Sequence, residues 1–150
     1  MTPFRSHMGA ALAEARAAGA RGEVPVGAVI VGPDGRIVAR AGNRTRELHD
    51  PTAHAEILAL RAACAELGSQ RLPGHDLYVT LEPCPMCAAA LASARIARLY
   101  YAAADPKSGG VAQGPRIFTH PQCHHVPEVY DGICARDAEA LLKEFFAARR

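Results

Sequence analysis

The chain has 150 residues, 49% apolar and 21% charged, with a net charge of +2. That balance fits one domain, residues 1–150, around a single buried core, and it excludes a disordered or collagen-like chain. No run approaches the ~18 apolar residues needed to cross a bilayer, and so mild a charge does not by itself mark a nucleic-acid binder.

The Ala-rich stretch 3–19 reads as a helix that ends at Gly19 or Gly22. His7, Glu14 and Arg16 interrupt it, so it lacks the unbroken apolar run of a secretory signal, and the cytoplasm is the expected compartment. Residues 26–31 form an apolar run expected as a buried strand, the turn Pro33-Asp34-Gly35 follows, and residues 36–41 form a second strand, together a hairpin. Asp50-Pro51 is expected to cap and open a helix that runs to Leu67 and stops at Gly68. A third strand covers 76–80, a helix 85–95 and a fourth strand 98–103. Residues 105–127 read as an irregular surface segment, 128–130 as a fifth strand and 137–149 as a closing helix. Strands alternating with helices predict a layered α/β domain.

Two segments carry chemistry, each expected near a helix start: His54-Ala55-Glu56 and Pro83-Cys84-Pro85-Met86-Cys87. Cys84 and Cys87 are three apart, so one helical turn brings both sulfurs to one side. His54 supplies a third donor, and three protein donors with one open position is the pattern of a catalytic zinc. Such a metal lowers the pKa of a bound water toward neutrality. Glu56, two residues beyond His54, is placed to move protons without being a ligand. His-x-Glu paired with Pro-Cys-x-x-Cys is a recognised signature of zinc nucleobase deaminases.

Other readings of these residues exist. Cys84 and Cys87 can be a redox pair, or the zinc can be structural, closed by a fourth ligand from Cys123-His124-His125. That last cluster reads more simply as a polar surface loop. Cys64 and Cys134 are expected as small core hydrophobes, His7 and His75 as exposed residues, and Asn43 as a turn residue or a ligand contact. Phe145 and Phe146 are expected in the core or an interface, and Arg149 and Arg150 in a solvated tail.

The runs Glu23-Val24-Pro25-Val26-Gly27-Ala28-Val29, Gly42-Asn43-Arg44, His49 to Glu56 and Tyr78 to Cys87 resemble the bacterial tRNA-specific adenosine deaminases. The likeness continues through Asp105-Pro106-Lys107-Ser108-Gly109 to Phe145-Phe146 and so covers nearly the whole chain, although His124 stands where the family carries Asn. The resemblance implies a cytidine-deaminase-like three-layer α/β/α fold with a central five-stranded mixed sheet. It implies a homodimer with active sites near the subunit interface, one zinc ion per subunit, and conversion of adenosine to inosine at the wobble position of an arginine tRNA anticodon loop. By that resemblance His54, Cys84 and Cys87 bind zinc, and Glu56 shuttles protons. Val26, Asn43, Leu81 and Glu82 line the base pocket, and Asp105 and Lys107 lie near the flanking nucleotides. Arg95, Arg98, Lys107, Arg116, Arg149 and Arg150 are available to phosphates. The alternative is a deaminase of free guanine or cytosine, because the same metal site serves both substrate classes.

Overall fold

Five short strands pair in the order β2-β1-β3-β4-β5 to form one mixed sheet in the structure, a computed structural model that describes residues 4–149. Among these residues the order is α1 (Met8–Ala20), β1 (Gly27–Val31), β2 (Ile37–Gly42), α2 (Ala55–Leu67), β3 (Asp76–Leu81), α3 (Pro85–Ser93), β4 (Arg98–Ala103), β5 (Glu128–Asp131) and α4 (Ala135–Ala147). A single 3-10 turn, Ile117–Thr119, interrupts the long segment between β4 and β5. β1 runs antiparallel to both β2 and β3, whereas β3, β4 and β5 are mutually parallel.

Strand alternation sorts the core into two layers. Ala28 and Ile30 of β1 and Leu77 and Val79 of β3 face a cluster that contains Ala55, Ala59 and Leu60 of α2 and Ala88 and Leu91 of α3. Val29, Val31 and Tyr78 face the other way, onto Met8, Ala11 and Leu12 of α1 and Ala138 of α4. Helices therefore cover both faces, the expected α/β/α arrangement. β1 is buried along its whole length, which explains why it reads as a continuous apolar run. Leu77, Leu91, Ile96 and Leu99 are fully buried, each contributing about 1.5–3 kcal/mol relative to exposure.

The alanines of α1 have a packing reason. A Cβ on Gly27 would lie 2.1 Å from the carbonyl oxygen of Ala11 and 2.4 Å from the backbone nitrogen of Ala15. Gly42, its register partner across the β1–β2 ladder, would meet the Glu14 carbonyl at 2.8 Å. The helix backbone thus rests directly on two side-chain-free positions of the sheet.

On the same face, in-register Tyr78, Tyr100 and Tyr130 stack in a column, with centroids 4.3 and 5.1 Å apart and interplanar angles of 6° and 20°. Tyr101 points to the opposite layer.

Several expectations are corrected. Pro3, where the first helix is expected to begin, and Arg150 lie outside the described residues. The helix itself starts at Met8, because Ser6 Oγ accepts the Met8 N–H and Phe4 turns aside to pack on Tyr100 at 5.6 Å. Asp50 does not cap a helix. Its Oδ1 accepts from the backbone and hydroxyl of Thr52 at 2.9 and 2.7 Å, which closes a turn and delays α2 to Ala55. The closing helix begins two residues earlier than expected, at Ala135. Cys134 precedes it with φ 60° and is exposed rather than core. His75 is buried, not exposed, its Nδ1 2.9 Å from the Pro73 carbonyl, and His7 is half-buried, edge-on to Tyr78.

Candidate metal centre and cleft

The delayed start of α2 sets up the site. His54 is the N-cap of α2 and Cys84 the N-cap of α3, both with extended backbone (ψ 154° and 170°), and neither side chain caps its own helix. Pro85, at the first turn of α3, costs no hydrogen bond there. The missing cap of α2 is supplied from outside: Asn43, just past β2, accepts the Ala55 N–H on Oδ1 at 2.9 Å. His54 is thereby released for other work.

His54 Nδ1 lies 3.7 Å from Cys84 Sγ and 3.5 Å from Cys87 Sγ, and all three donor atoms are within 4.8 Å of one another. A tetrahedral zinc with Zn–S near 2.3 Å and Zn–N near 2.0–2.1 Å requires an N-to-S edge of about 3.5 Å. The donor set and its spacing therefore fit zinc. Among the described residues no fourth His, Cys, Asp or Glu joins the group, so the closed structural site is not supported. The Cys123–His125 cluster is engaged elsewhere: Cys123 Sγ donates to the His125 carbonyl, and His125 Nε2 meets the Ile96 carbonyl at 2.7 Å.

The three donors are electrostatically coupled. The hydrogen bond from Cys87 draws the Cys84 thiol down to about 4, with help from His54. The same bond, together with burial, holds Cys87 far above the ordinary thiol range. Hydrogen bonding to Cys84 also raises the His54 imidazole. Glu56, in the first turn of α2, is 4% exposed. A helix start favours the carboxylate, but desolvation dominates and pushes Glu56 up to about 7.

A cleft of about 240 Å³ opens beside these groups. Val26, Asn43, Leu81, Glu82 and Asp105 line it together with His54, Glu56 and Cys84. Lys107 is exposed on the loop between Asp105 and Ser108 and does not line the cleft.

Two buried carboxylates, Glu82 in the cleft lining and Glu23 next to Val24 of that lining, hold backbone partners that spacing alone could not reveal. Glu23 accepts the backbone N–H groups of Arg46 and Glu47 at 3.2 and 2.9 Å, which ties the 44–49 turn to the α1–β1 connection. Glu82, 2% exposed, accepts the N–H of Asp105 on one oxygen and those of Val111, Ala112 and Gln113 on the other. The basic residues offered for phosphate contact are partly committed. Arg98 pairs with Glu128 and Asp76 at the end of the sheet opposite Leu81, and Arg149 sits over the Phe145 ring at 3.5 Å.

The family model for the cytidine and deoxycytidylate deaminase zinc-binding region matches residues 1–103. A tRNA-specific adenosine deaminase of Agrobacterium fabrum is 60% identical over 147 residues, spanning 97% of this chain and 96% of that protein. A solved structure from work on A-to-I editing by tRNA:A34 deaminases at the wobble position has a TM-score of 0.90 at 61% identity, covering 92% of this chain and 100% of the other. A guanine deaminase from Nitrosomonas europaea has a TM-score of 0.82 at 26% identity, over 97% of this chain and 87% of that one.

Proposed function

Because the chain belongs to the cytidine and deoxycytidylate deaminase family, and within it to the tRNA-specific adenosine deaminases, we propose that it converts adenosine to inosine by hydrolysis at the wobble position of a tRNA. The observation that carries this reading is a three-donor group, with no fourth protein ligand among the described residues, opening into a base-sized cleft beside a buried acid outside the group.

In this reading one zinc ion per subunit is held by His54, Cys84 and Cys87. When bound, it activates water for attack on the ring carbon that carries the amino group. Glu56, buried beside that position and outside the ligand group, takes the proton from the attacking water and returns one to the departing ammonia. Val26 and Leu81 wall the base. Asn43, whose Oδ1 is held by the Ala55 N–H, keeps its amide N–H groups to donate to the base. Glu82 and Asp105 belong to the same lining, and Lys107 meets backbone phosphate outside the cleft.

A cleft of about 240 Å³ suits one splayed base, with the rest of an anticodon loop remaining outside. The arginine identity of the tRNA, a homodimer with sites near the subunit interface and a cytoplasmic location follow from the family resemblance. No helix among the described residues is long and apolar enough to cross a membrane.

The second reading, a free-guanine deaminase, draws on the fold shared with the Nitrosomonas europaea enzyme. The two are separated by offering an anticodon stem-loop with adenosine at the wobble position and free guanine side by side. Inosine in the stem-loop is the expected product. Ammonia from guanine with none from the stem-loop rejects the tRNA reading.

A further inference from the structure

We propose that Glu82 is a positioning residue that locks the 105–113 segment as one lip of the cleft and so sets how tightly the RNA is held. The inference rests on the tRNA reading above for its substrate and on separate observations for its geometry.

Glu82 follows β3 directly and lies two residues before Cys84. Its own N–H donates to the Ala103 carbonyl at 2.8 Å, which extends the β3–β4 pairing beyond Leu81. Its carboxylate has four backbone donors: Asp105 at 3.0 Å on Oε1, and Val111, Ala112 and Gln113 at 3.1, 2.9 and 3.0 Å on Oε2. Bonds to an ionised acceptor are about twice as strong as neutral ones. Converging N–H groups of this kind form an anion-holding concavity, and here the anion is the protein's own.

The lip is also pressed onto the segment that bears Cys84. A Cβ on Gly110 would lie 2.5 Å from the Pro85 nitrogen, and one on Gly109 would lie 2.6 Å from both the Glu82 carboxylate and the Asp105 carbonyl. The Gly110 N–H donates to the Pro83 carbonyl at 2.8 Å. Only side-chain-free residues permit this backbone-on-backbone seat. Asp105 in turn accepts the N–H groups of Lys107 and Ser108 at 3.2 and 3.0 Å. Fixing Asp105 therefore fixes the turn that carries Lys107 and one edge of the cleft. Glu82 acts on RNA through the shape of this lip.

The test is Glu82→Gln in the zinc-loaded protein. The amide is isosteric but has one acceptor oxygen, so either the Asp105 N–H or the other three donors must face an NH2 group and go unpaired. Expected are exchange of the 105 and 111–113 amides faster by about tenfold, and a stem-loop KM raised about tenfold, the worth of one hydrogen bond to a charged group. Zinc content should be retained, and kcat should change much less than KM. Gly109→Ala, which enters the same contact from the loop side, should give the same pattern. Unchanged exchange in Glu82→Gln overturns the inference, as does a collapse of kcat with loss of zinc and an unmoved KM. The exchange measurement needs no substrate, so it decides the role of Glu82 even if the parent protein proves inactive on the stem-loop.

Discussion

Asn43 has two jobs that one pair of substitutions can separate. Its Oδ1 caps α2 through the Ala55 N–H at 2.9 Å, and in the proposed reading its amide N–H groups bind the base. Asn43→Ala removes both. Loss of a cap costs about 1 kcal/mol, which for a chain of this size lowers Tm by about 2–4 °C. Loss of a neutral hydrogen bond to substrate, worth about 0.5–1.5 kcal/mol, lowers kcat/KM by up to about tenfold. Asn43→Asp keeps the acceptor, and a negative charge at a helix start is favoured by about 0.3–1 kcal/mol. Its only donor atoms are gone. The aspartate variant should therefore melt above the alanine variant yet match or exceed its loss of kcat/KM. The assay is thermal unfolding by circular dichroism on zinc-saturated protein, paired with initial rates of inosine formation in the stem-loop. If the two variants melt at the same temperature, Oδ1 is not the cap. If Asn43→Ala keeps full kcat/KM, the residue does not bind the base.

Glu56→Gln should keep zinc content and Tm while kcat falls by about 10²–10⁴; single-turnover rates and metal analysis check this, and undiminished turnover removes Glu56 from the proton path. Gly27→Ala should destabilise by about 3 kcal/mol, the upper end of overpacking costs, because the new Cβ at 2.1 Å meets helix backbone rather than a yielding side chain. Urea unfolding reads this as a lower midpoint at constant slope. An unmoved midpoint would mean that α1 is not seated on β1.

Legibility in the sequence followed the range of the interaction. His54, Cys84 and Cys87 form two short motifs whose spacing already puts the sulfurs on one helical turn, and the structure gathers the three donors. The strands were legible to within a residue because they are short and bounded by turn residues. Helix starts were less so: α3 begins at Pro85 as expected, whereas α1, α2 and α4 do not begin where their local signals suggest. Asp50-Pro51 has the local chemistry of a cap, and only the Asp50–Thr52 turn and the distant Asn43 explain why α2 waits until Ala55. Glu82 enters the base pocket only through the family resemblance. Its four partners are backbone amides 23 to 31 positions away, which no side-chain pattern encodes. Arg98 looked free because composition does not say at which end of a strand a charge emerges. In the fold it meets Asp76 and Glu128 far from the cleft.

The tyrosine column determines what optical spectroscopy can see. The chain has no Trp and four Tyr, three of them stacked ring on ring across β3, β4 and β5. Near-ultraviolet dichroism and intrinsic emission will thus be dominated by coupled chromophores on the α1/α4 side of the sheet. Tyr101, the one tyrosine in the opposite layer, is the only tyrosine reporter on the half of the molecule that holds the metal ligands. A tryptophan probe introduced near the cleft would give that half a signal of its own.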